Sequence, residues 1–412
     1  MYSSYRWLIF LFIYMSFTTQ YIVYLSWNPF VPLAGTLFGF SMVQCSSIVA
    51  AVALGRLLFQ LPGGMLVDSF STKRLLVCSI FALGICISLG AWGGGRFVVI
   101  AASQFAIGLT GVMVWPLCIK VIVEHFPNNE QDVICGLLNT GATIAVMVTN
   151  VYIPYAVREW SWEMAFVGIG LLCAVNVLLL GVFMKENSPN SLAVPETAAK
   201  PQRRGISRSA IRQLLQNRGF VLCLVIYAGA LYTSWGVNTW VTTYLLHDVG
   251  LAAATVSKMM LVFGIAGCIA LPLAGIFTRG SFQGRYYFLL GDLFFLATLL
   301  VTMPLIRTEG LLWLWSVLLG IGTFSHMGPL NLVIADFIDT RVLGTAMALS
   351  LFIWQITAMA QSMLIGKALE IASGYWGSVL LFGILALGAY AACLASGRIL
   401  FLLKQGELSR KA

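Results

Sequence analysis

Few side chains in this sequence can do chemistry, so each one carries weight. Of 412 residues, 59% are apolar and only 9% are charged. Within the long apolar stretches, four ionisable side chains stand out: Arg56, Lys120, Asp292 and His326. Arg56 lies near the middle of the run 41–66, too far from either end to snorkel to an interface. A guanidinium there has two ways to be satisfied. It binds a carboxylate or another oxyanion, for which its planar fork suits bidentate contact, or facing carbonyls and polar side chains hold it and tie two helices together. Gln60, one turn on, shares its face. His326 offers an imidazole that can carry a proton or sit hydrogen-bonded in a core. Asp292 is the one acid well inside a run. Its spacing from Arg285 does not favour a pair, so a structural role is expected, with proton coupling as the alternative. Lys120 either binds an anion or reaches to the nearer interface.

Other chemistry is disfavoured. The histidines His125, His247 and His326 are far apart, and neither an H-E-x-x-H nor a G-x-x-x-x-G-K pattern occurs. A membrane-embedded enzyme is therefore not expected, nor is a metal or cofactor. Nine cysteines form no C-x-x-C pair, and most fall in apolar runs, as small buried hydrophobes do. The net charge of +9 and pI near 9.1 do not indicate nucleic acid, because the basic residues lie between apolar runs and read as a topology signal.

The elements that position these residues follow from composition. Soluble proteins are about a quarter charged, and disorder needs low hydrophobicity with high charge; neither fits. Mean hydropathy is +0.91, and apolar runs long enough to cross a core roughly 30 Å thick recur throughout. Twelve are predicted, over 7–34, 41–66, 75–92, 97–123, 133–157, 163–184, 219–246, 254–278, 286–305, 311–335, 343–370 and 377–403. Their lack of alternation argues against transmembrane strands. The first run is longer than a signal-peptide core and has no small-residue cleavage site, so it is expected to stay as a spanning helix.

The polar stretch 185–218 divides the chain into a six-helix bundle over 1–184 and another over 219–412. Its end, 207–217, reads as a short interfacial amphipathic helix. With the N-terminus inside, sixteen of the twenty-four Lys and Arg residues fall on cytoplasmic segments and three (Arg96, Arg158, Arg307) on outer loops. That bias places both termini and the linker in the cytoplasm.

The halves repeat. Gly64 to Arg74 and Gly275 to Arg285 are both ten apart, Pro116-Leu117 matches Pro329-Leu330, and Gly136 matches Gly344, at offsets of 211, 213 and 208. Parallel six-helix repeats with a site between them are a transporter architecture.

At this point the chain resembles the major facilitator superfamily over essentially its full length. The segment Gly64-Met-Leu-Val-Asp68-Ser-Phe-Ser-Thr-Lys73-Arg74 is similar to that family's loop between helices two and three, with Ser69 and Ser71 replacing its usual basic residue and glycine. The resemblance implies a cytoplasmic gate formed by Gly64, Asp68, Lys73 and Arg74, with Arg279 and Arg285 in the second half. The stretch Trp115-Pro116, Lys120, His125-Phe-Pro127, Glu130 and Leu138-Asn-Thr-Gly-Ala142 is similar to the organic-anion branches. The tyrosine-aspartate-arginine signature of helix one is absent, and Gln104 stands where many proton-driven exporters carry arginine.

The family fold implies an all-α membrane protein of two pseudo-symmetric six-helix bundles, its cavity lined by helices one, two, four, five, seven, eight, ten and eleven. Cavity candidates are then Gln20, Tyr24, Asn28, Arg56, Gln60, Trp115, Lys120, Asn139, Trp235, Asn238, His326, Asn331, Trp354 and Gln355, beside Thr143, Asn150 and Tyr232. The expected function is alternating-access transport of a small polar solute, best an organic anion, with His326 or Asp292 available for a coupling proton. A proton-driven exporter of a drug, siderophore or metabolite is the alternative. A bacterial inner-membrane location and a functional monomer are expected.

Overall fold

A backbone in hydrocarbon must satisfy its own hydrogen bonds, and each apolar run does so as a helix. The computed structural model describes residues 2–184, 208–278, 281–338, 343–372 and 374–408, without the side chains at 2–5, 61, 68, 69, 128, 129, 132, 208–210, 331, 332, 335, 343 and 344. Among the described residues, twelve helices are long and apolar enough to span a membrane. They are α1 (Tyr2–Leu25, continued by Asn28–Phe30 and Val31–Phe38), α2 (Met42–Ser69), α3 (Thr72–Trp92), α4 (Phe97–Gly111 and Val114–His125), α5 (Asn128–Glu159) and α6 (Trp162–Phe183). In the second half come α7 (Arg218–His247), α8 (Ala253–Thr278), α9 (Phe282–Thr302), α10 (Glu309–Phe324, Met327–Val333 and Ile334–Phe337), α11 (Leu343–Ile371) and α12 (Gly374–Lys404). A short helix, Arg208–Gln216, precedes α7.

Polar residues set the starts. Ser41, Ser71, Ser161, Asn217 and Ser281 each accept from a first-turn backbone N–H, satisfying donors a helix cannot. Ser41 and Gln44 form a reciprocal capping box.

Three spans that read as continuous are broken. In α4 the break falls at Val112–Met113, and in α10 at Ser325–His326. Pro116 and Pro329 follow at the same interval, and each lacks the N–H that would bond the carbonyl four residues back. The breaks are 213 residues apart, the offset of the two prolines. In α1 the interruption at Ser26–Trp27 precedes Pro29 and Pro32.

Packing repeats as the sequence does: α2 lies on α4, α3 on α6 and α1 on α5, mirrored by α8 on α10, α9 on α12 and α7 on α11. At the α2–α4 crossing Gly55 and Gly108 face each other, and a Cβ on either would run into the opposite backbone, so the helices approach closely. Leu58, Leu89, Leu178 and Leu387 are exposed, as suits a lipid-facing surface, while Gln20, Asn150, Asn176 and Gln361 are buried.

Two long seams join the halves, α2 against α11 and α5 against α8. The face carrying the first turn of α1 and the last of α12 is called the terminal face below, and its opposite the far face. Ties across the seams run from the far face to mid-membrane. The Val43 N–H donates to Glu370 at 3.1 Å, Ser257 donates to the Asn150 carbonyl at 2.7 Å, Thr242 donates to the Asn150 side chain at 2.6 Å, and Asn28 donates to the Asn238 carbonyl at 3.3 Å. Toward the terminal face, the polar ties among the described residues stay within one half. Arg6 pairs with Glu130 at 3.1 Å, Lys73 donates to the Gly181 carbonyl at 2.8 Å, and Arg285 pairs with Asp336 at 2.5 Å.

Candidate functional site

Arg56 is the fifteenth of the twenty-eight residues of α2 and points into the seam. Its guanidinium lies over three aromatic rings, at 5.0 Å from Tyr24 of α1, 6.0 Å from Trp235 of α7 and 4.6 Å from Trp354 of α11. With its amide oxygen turned toward the guanidinium, Gln355 accepts from both Nε and Nη2 at 3.2 Å. The hydroxyls of Tyr21, Tyr24 and Tyr227 lie within range of its charge. Four helices from both halves thus meet on one cation.

No carboxylate among the described residues pairs with Arg56. Each cation–π contact contributes about 0.5–2 kcal/mol, and an arginine at mid-bilayer costs at least roughly 3 kcal/mol. The rings and the amide together offset a cost of that size without an acid. The aromatic faces hold the cation but leave its charge uncancelled. Beside it, the indole N–H groups of Trp235 and Trp354 are buried with no acceptor. The result is a cation with one neutral amide acceptor, next to two indoles whose N–H groups lack a partner, and such a group of donors can recognise an oxyanion.

Neighbouring predicted residues extend this surface. Gln20 donates to the Gly111 carbonyl at 2.6 Å, next to the break in α4. Trp115 packs on Phe17 at 5.3 Å, and Phe17 on Tyr21 at 4.7 Å, so an aromatic row leads from α4 to Tyr24 and Arg56. Asn238 donates to the Ser234 carbonyl at 2.7 Å and keeps a buried Oδ1 without a donor. Gln60 is half-buried on the terminal side of Arg56.

Others are placed elsewhere. Lys120 donates to the Val67 carbonyl at 3.0 Å, near the end of α2, which is the snorkelling arrangement. Asn139 donates to its own helix at Cys135, at 3.0 Å. Asn28 and Asn150 serve the far-face ties. Thr143 contacts Cys268 across the α5–α8 seam at 2.6 Å, and Tyr232 donates to the Ile384 carbonyl at 3.1 Å. Of the gate residues, Gly64 is exposed near the end of α2, Lys73 and Arg285 are engaged within their own halves, and Arg74 opens α3 under the Ser71 cap. Arg279 and the side chains of Asp68 and Asn331 lie outside the described residues.

His326 and Asp292 meet. Because α9 begins at Phe282, four residues earlier than predicted, Asp292 is its eleventh residue of twenty-one and sits at mid-helix. Asp292 Oδ2 is 2.9 Å from His326 Nδ1, and Ser325 donates to Asp292 Oδ1 at 2.5 Å. His326 Nε2 is 2.9 Å from Ser234 Oγ on α7.

Sequence reasoning passed over Tyr21, Tyr227 and Asp336. Tyr21 carried a signal, lying with Phe17, Gln20 and Tyr24 on one face of α1. Asp336, buried against Arg285 and Tyr286, sits past Pro329 in a segment that hydropathy treats as the end of a span.

The Major Facilitator Superfamily pattern matches residues 7–362. A galacturonate transporter of Dickeya chrysanthemi is 26% identical over 320 residues, covering 73% of this chain and 86% of that protein. A hexuronate transporter of Escherichia coli K12 is 24% identical over 349 residues, covering 79% and 76%. The fold is similar to that of a bacterial homologue of the human lysosomal transporter Spinster, solved inward-facing and unoccupied, with a TM-score of 0.75, 14% identity and 99% of both chains covered. Family pattern, relatives and fold agree: the chain belongs to the Major Facilitator Superfamily and is a multi-pass membrane transporter working by alternating access, not an enzyme.

Proposed function

We propose that this transporter carries a small hydroxylated monocarboxylate, of the hexuronate kind, across a bacterial inner membrane, with Arg56 binding the carboxylate. The observation that carries this is the uncancelled cation at mid-seam with two unpartnered indole donors beside it. Relatives named for galacturonate and hexuronate support the solute class. The free Asn238 Oδ1 suits a sugar hydroxyl.

Positive charge orients the molecule, so the terminal face is cytoplasmic. The far-face ties then make this the inward-facing conformation, with Arg56 behind a closed outer seam. The unit of movement is the bundle, 1–184 against 219–412, joined by the linker 185–218, and one chain supplies both walls of the site. The gate residues Gly64, Asp68, Lys73, Arg74, Arg279 and Arg285 act in the opposite conformation, when the cytoplasmic ends meet.

Purified protein in liposomes tests this by counterflow of labelled galacturonate against unlabelled galacturonate inside. Exchange is expected with the wild type and is lost in Arg56→Gln at unchanged thermal stability. Exchange by Arg56→Gln at the wild-type rate would overturn the proposal.

A further inference from the structure

Near mid-membrane the described side chains that carry charge are Arg56 in one half and the Asp292–His326 pair in the other. Arg285 and Asp336 cancel each other, and Lys120 reaches toward the terminal end of α2. The pair is closed off, with His326 fully buried and the Asp292 side chain 7% exposed.

Its hydrogen bonds count protons. His326 Nδ1 faces two acceptors, Asp292 Oδ2 at 2.9 Å and the Gly322 carbonyl at 3.0 Å, so Nδ1 holds a hydrogen. Ser234 has one hydroxyl hydrogen and two carbonyls to give it to, Ala230 at 3.0 Å and Thr323 at 3.1 Å. When the serine donates to a carbonyl, its lone pair accepts from an Nε2–H. That satisfied arrangement has both imidazole nitrogens protonated beside an ionised Asp292, so the pair is net neutral. Removing one proton leaves it with a net negative charge and forces the Ser234 hydroxyl away from its carbonyl toward Nε2.

Ionisable groups on the packed helices are engaged elsewhere. Arg285 and Tyr286 of α9 and Cys223 of α7 gather around Asp336. Tyr227 of α7 lies toward Arg56, Tyr232 bonds the Ile384 carbonyl, and Cys393 of α12 bonds the Leu290 carbonyl. Across the α8 packing, Cys268 turns to Thr143. Among the described residues, Asp292 has no ion-pair partner other than His326.

We propose that Asp292 and His326 together bind the proton that drives transport, and that Arg56 couples it to the anion by charge balance. This rests on Arg56 binding a carboxylate. With the site empty, the Arg56 cation is balanced by the deprotonated pair. With a monoanion bound, Arg56 is balanced by its ligand and the pair by its proton. Both carriers are net neutral at mid-membrane and free to reorient. Anion without proton leaves one uncompensated negative charge, and proton without anion one positive charge, each disfavoured in low dielectric. The anion and one proton therefore travel together, taken from outside water and released inside. The physical link is short, since Ser234 bonds the imidazole and the adjacent Trp235 stacks on Arg56.

The test compares two readouts in the same proteoliposomes. Galacturonate accumulation under an imposed pH gradient, alkaline inside, is expected to approach tenfold per pH unit, the ratio that 1.4 kcal/mol sets, without response to a potassium-diffusion potential. Asp292→Asn, alone and combined with His326→Gln, is expected to lose this accumulation, to a ratio near one, while counterflow persists because the loaded carrier stays neutral. The dianion galactarate is expected to be carried with a response to the potential. Gradient-driven accumulation by both variants overturns the coupling role and leaves the anion site standing. Loss of counterflow together with accumulation in both also overturns it, by making the pair a structural tie. Absence of monocarboxylate counterflow in the wild type overturns both proposals.

Discussion

Arg56 is held by rings rather than by an acid, and that choice separates holding the cation from cancelling it. An aspartate in place of Trp354 would position the guanidinium equally well but would occupy the charge the ligand needs. Substitutions here should act on affinity. Trp354→Phe keeps the ring face and removes an N–H whose bond to the proposed carboxylate would contribute roughly 1.5–3 kcal/mol, so the KM for uptake should rise about tenfold or more with little change in maximal rate. Arg56→Lys keeps the charge but loses the planar fork that two tryptophans and Gln355 embrace, so lysine should not restore counterflow. Outside the spans, Asp248 is half-buried, accepts from Ser378 at 3.0 Å, and has its carboxyl raised above the ordinary value of 3.8, burial outweighing the bond from Ser378 and the charges of His247 and Arg307. The folded state thus holds this proton more tightly than the unfolded state. Its contribution falls as pH rises from near 3.8 through the raised value and is flat above. Asp248→Asn should remove that decline, which thermal unfolding measured across pH would show.

At the scale of elements, the breaks in α4 and α10 are joints built by single prolines. Pro329→Ala returns an N–H to the helix, worth about 3 kcal/mol in an ordinary helix interior. It should straighten α10, raise the melting temperature and slow turnover, read by unfolding and uptake on one preparation. Gly108→Leu should do the reverse, forcing α2 from α4 at a cost of about 1–3 kcal/mol and lowering the melting temperature. What the sequence made legible follows the same division. Twelve spans were readable because crossing a bilayer imposes a length and a hydropathy on each run separately. Arg56 was readable because a lone charge in such a run is costly wherever its neighbours lie. The meeting of Asp292 with His326 was not, because it joins two helices 34 residues apart and depends on rotations that hydropathy does not encode. The position of Asp292 shifted for a local reason, the Ser281 cap starting α9 early. Trp235 and Trp354 were visible as cavity residues, yet their convergence on Arg56 belongs to the packing of α7 against α11.

At the scale of the molecule, the far-face ends of the two halves are tied by a few hydrogen bonds worth about 1 kcal/mol each. Such a balance suits a carrier that visits both conformations. Thr242→Ala combined with Ser257→Ala removes both ties to Asn150 and should raise the population open at the far face several-fold, measured as inter-bundle distances by electron paramagnetic resonance. Position 113 in α4 and position 326 in α10 occupy the same place in the repeat, but one holds methionine and the other histidine. The duplicated scaffold therefore contains its own control: one joint whose side chain can exchange no proton, and a twin whose buried imidazole is the group proposed to carry one.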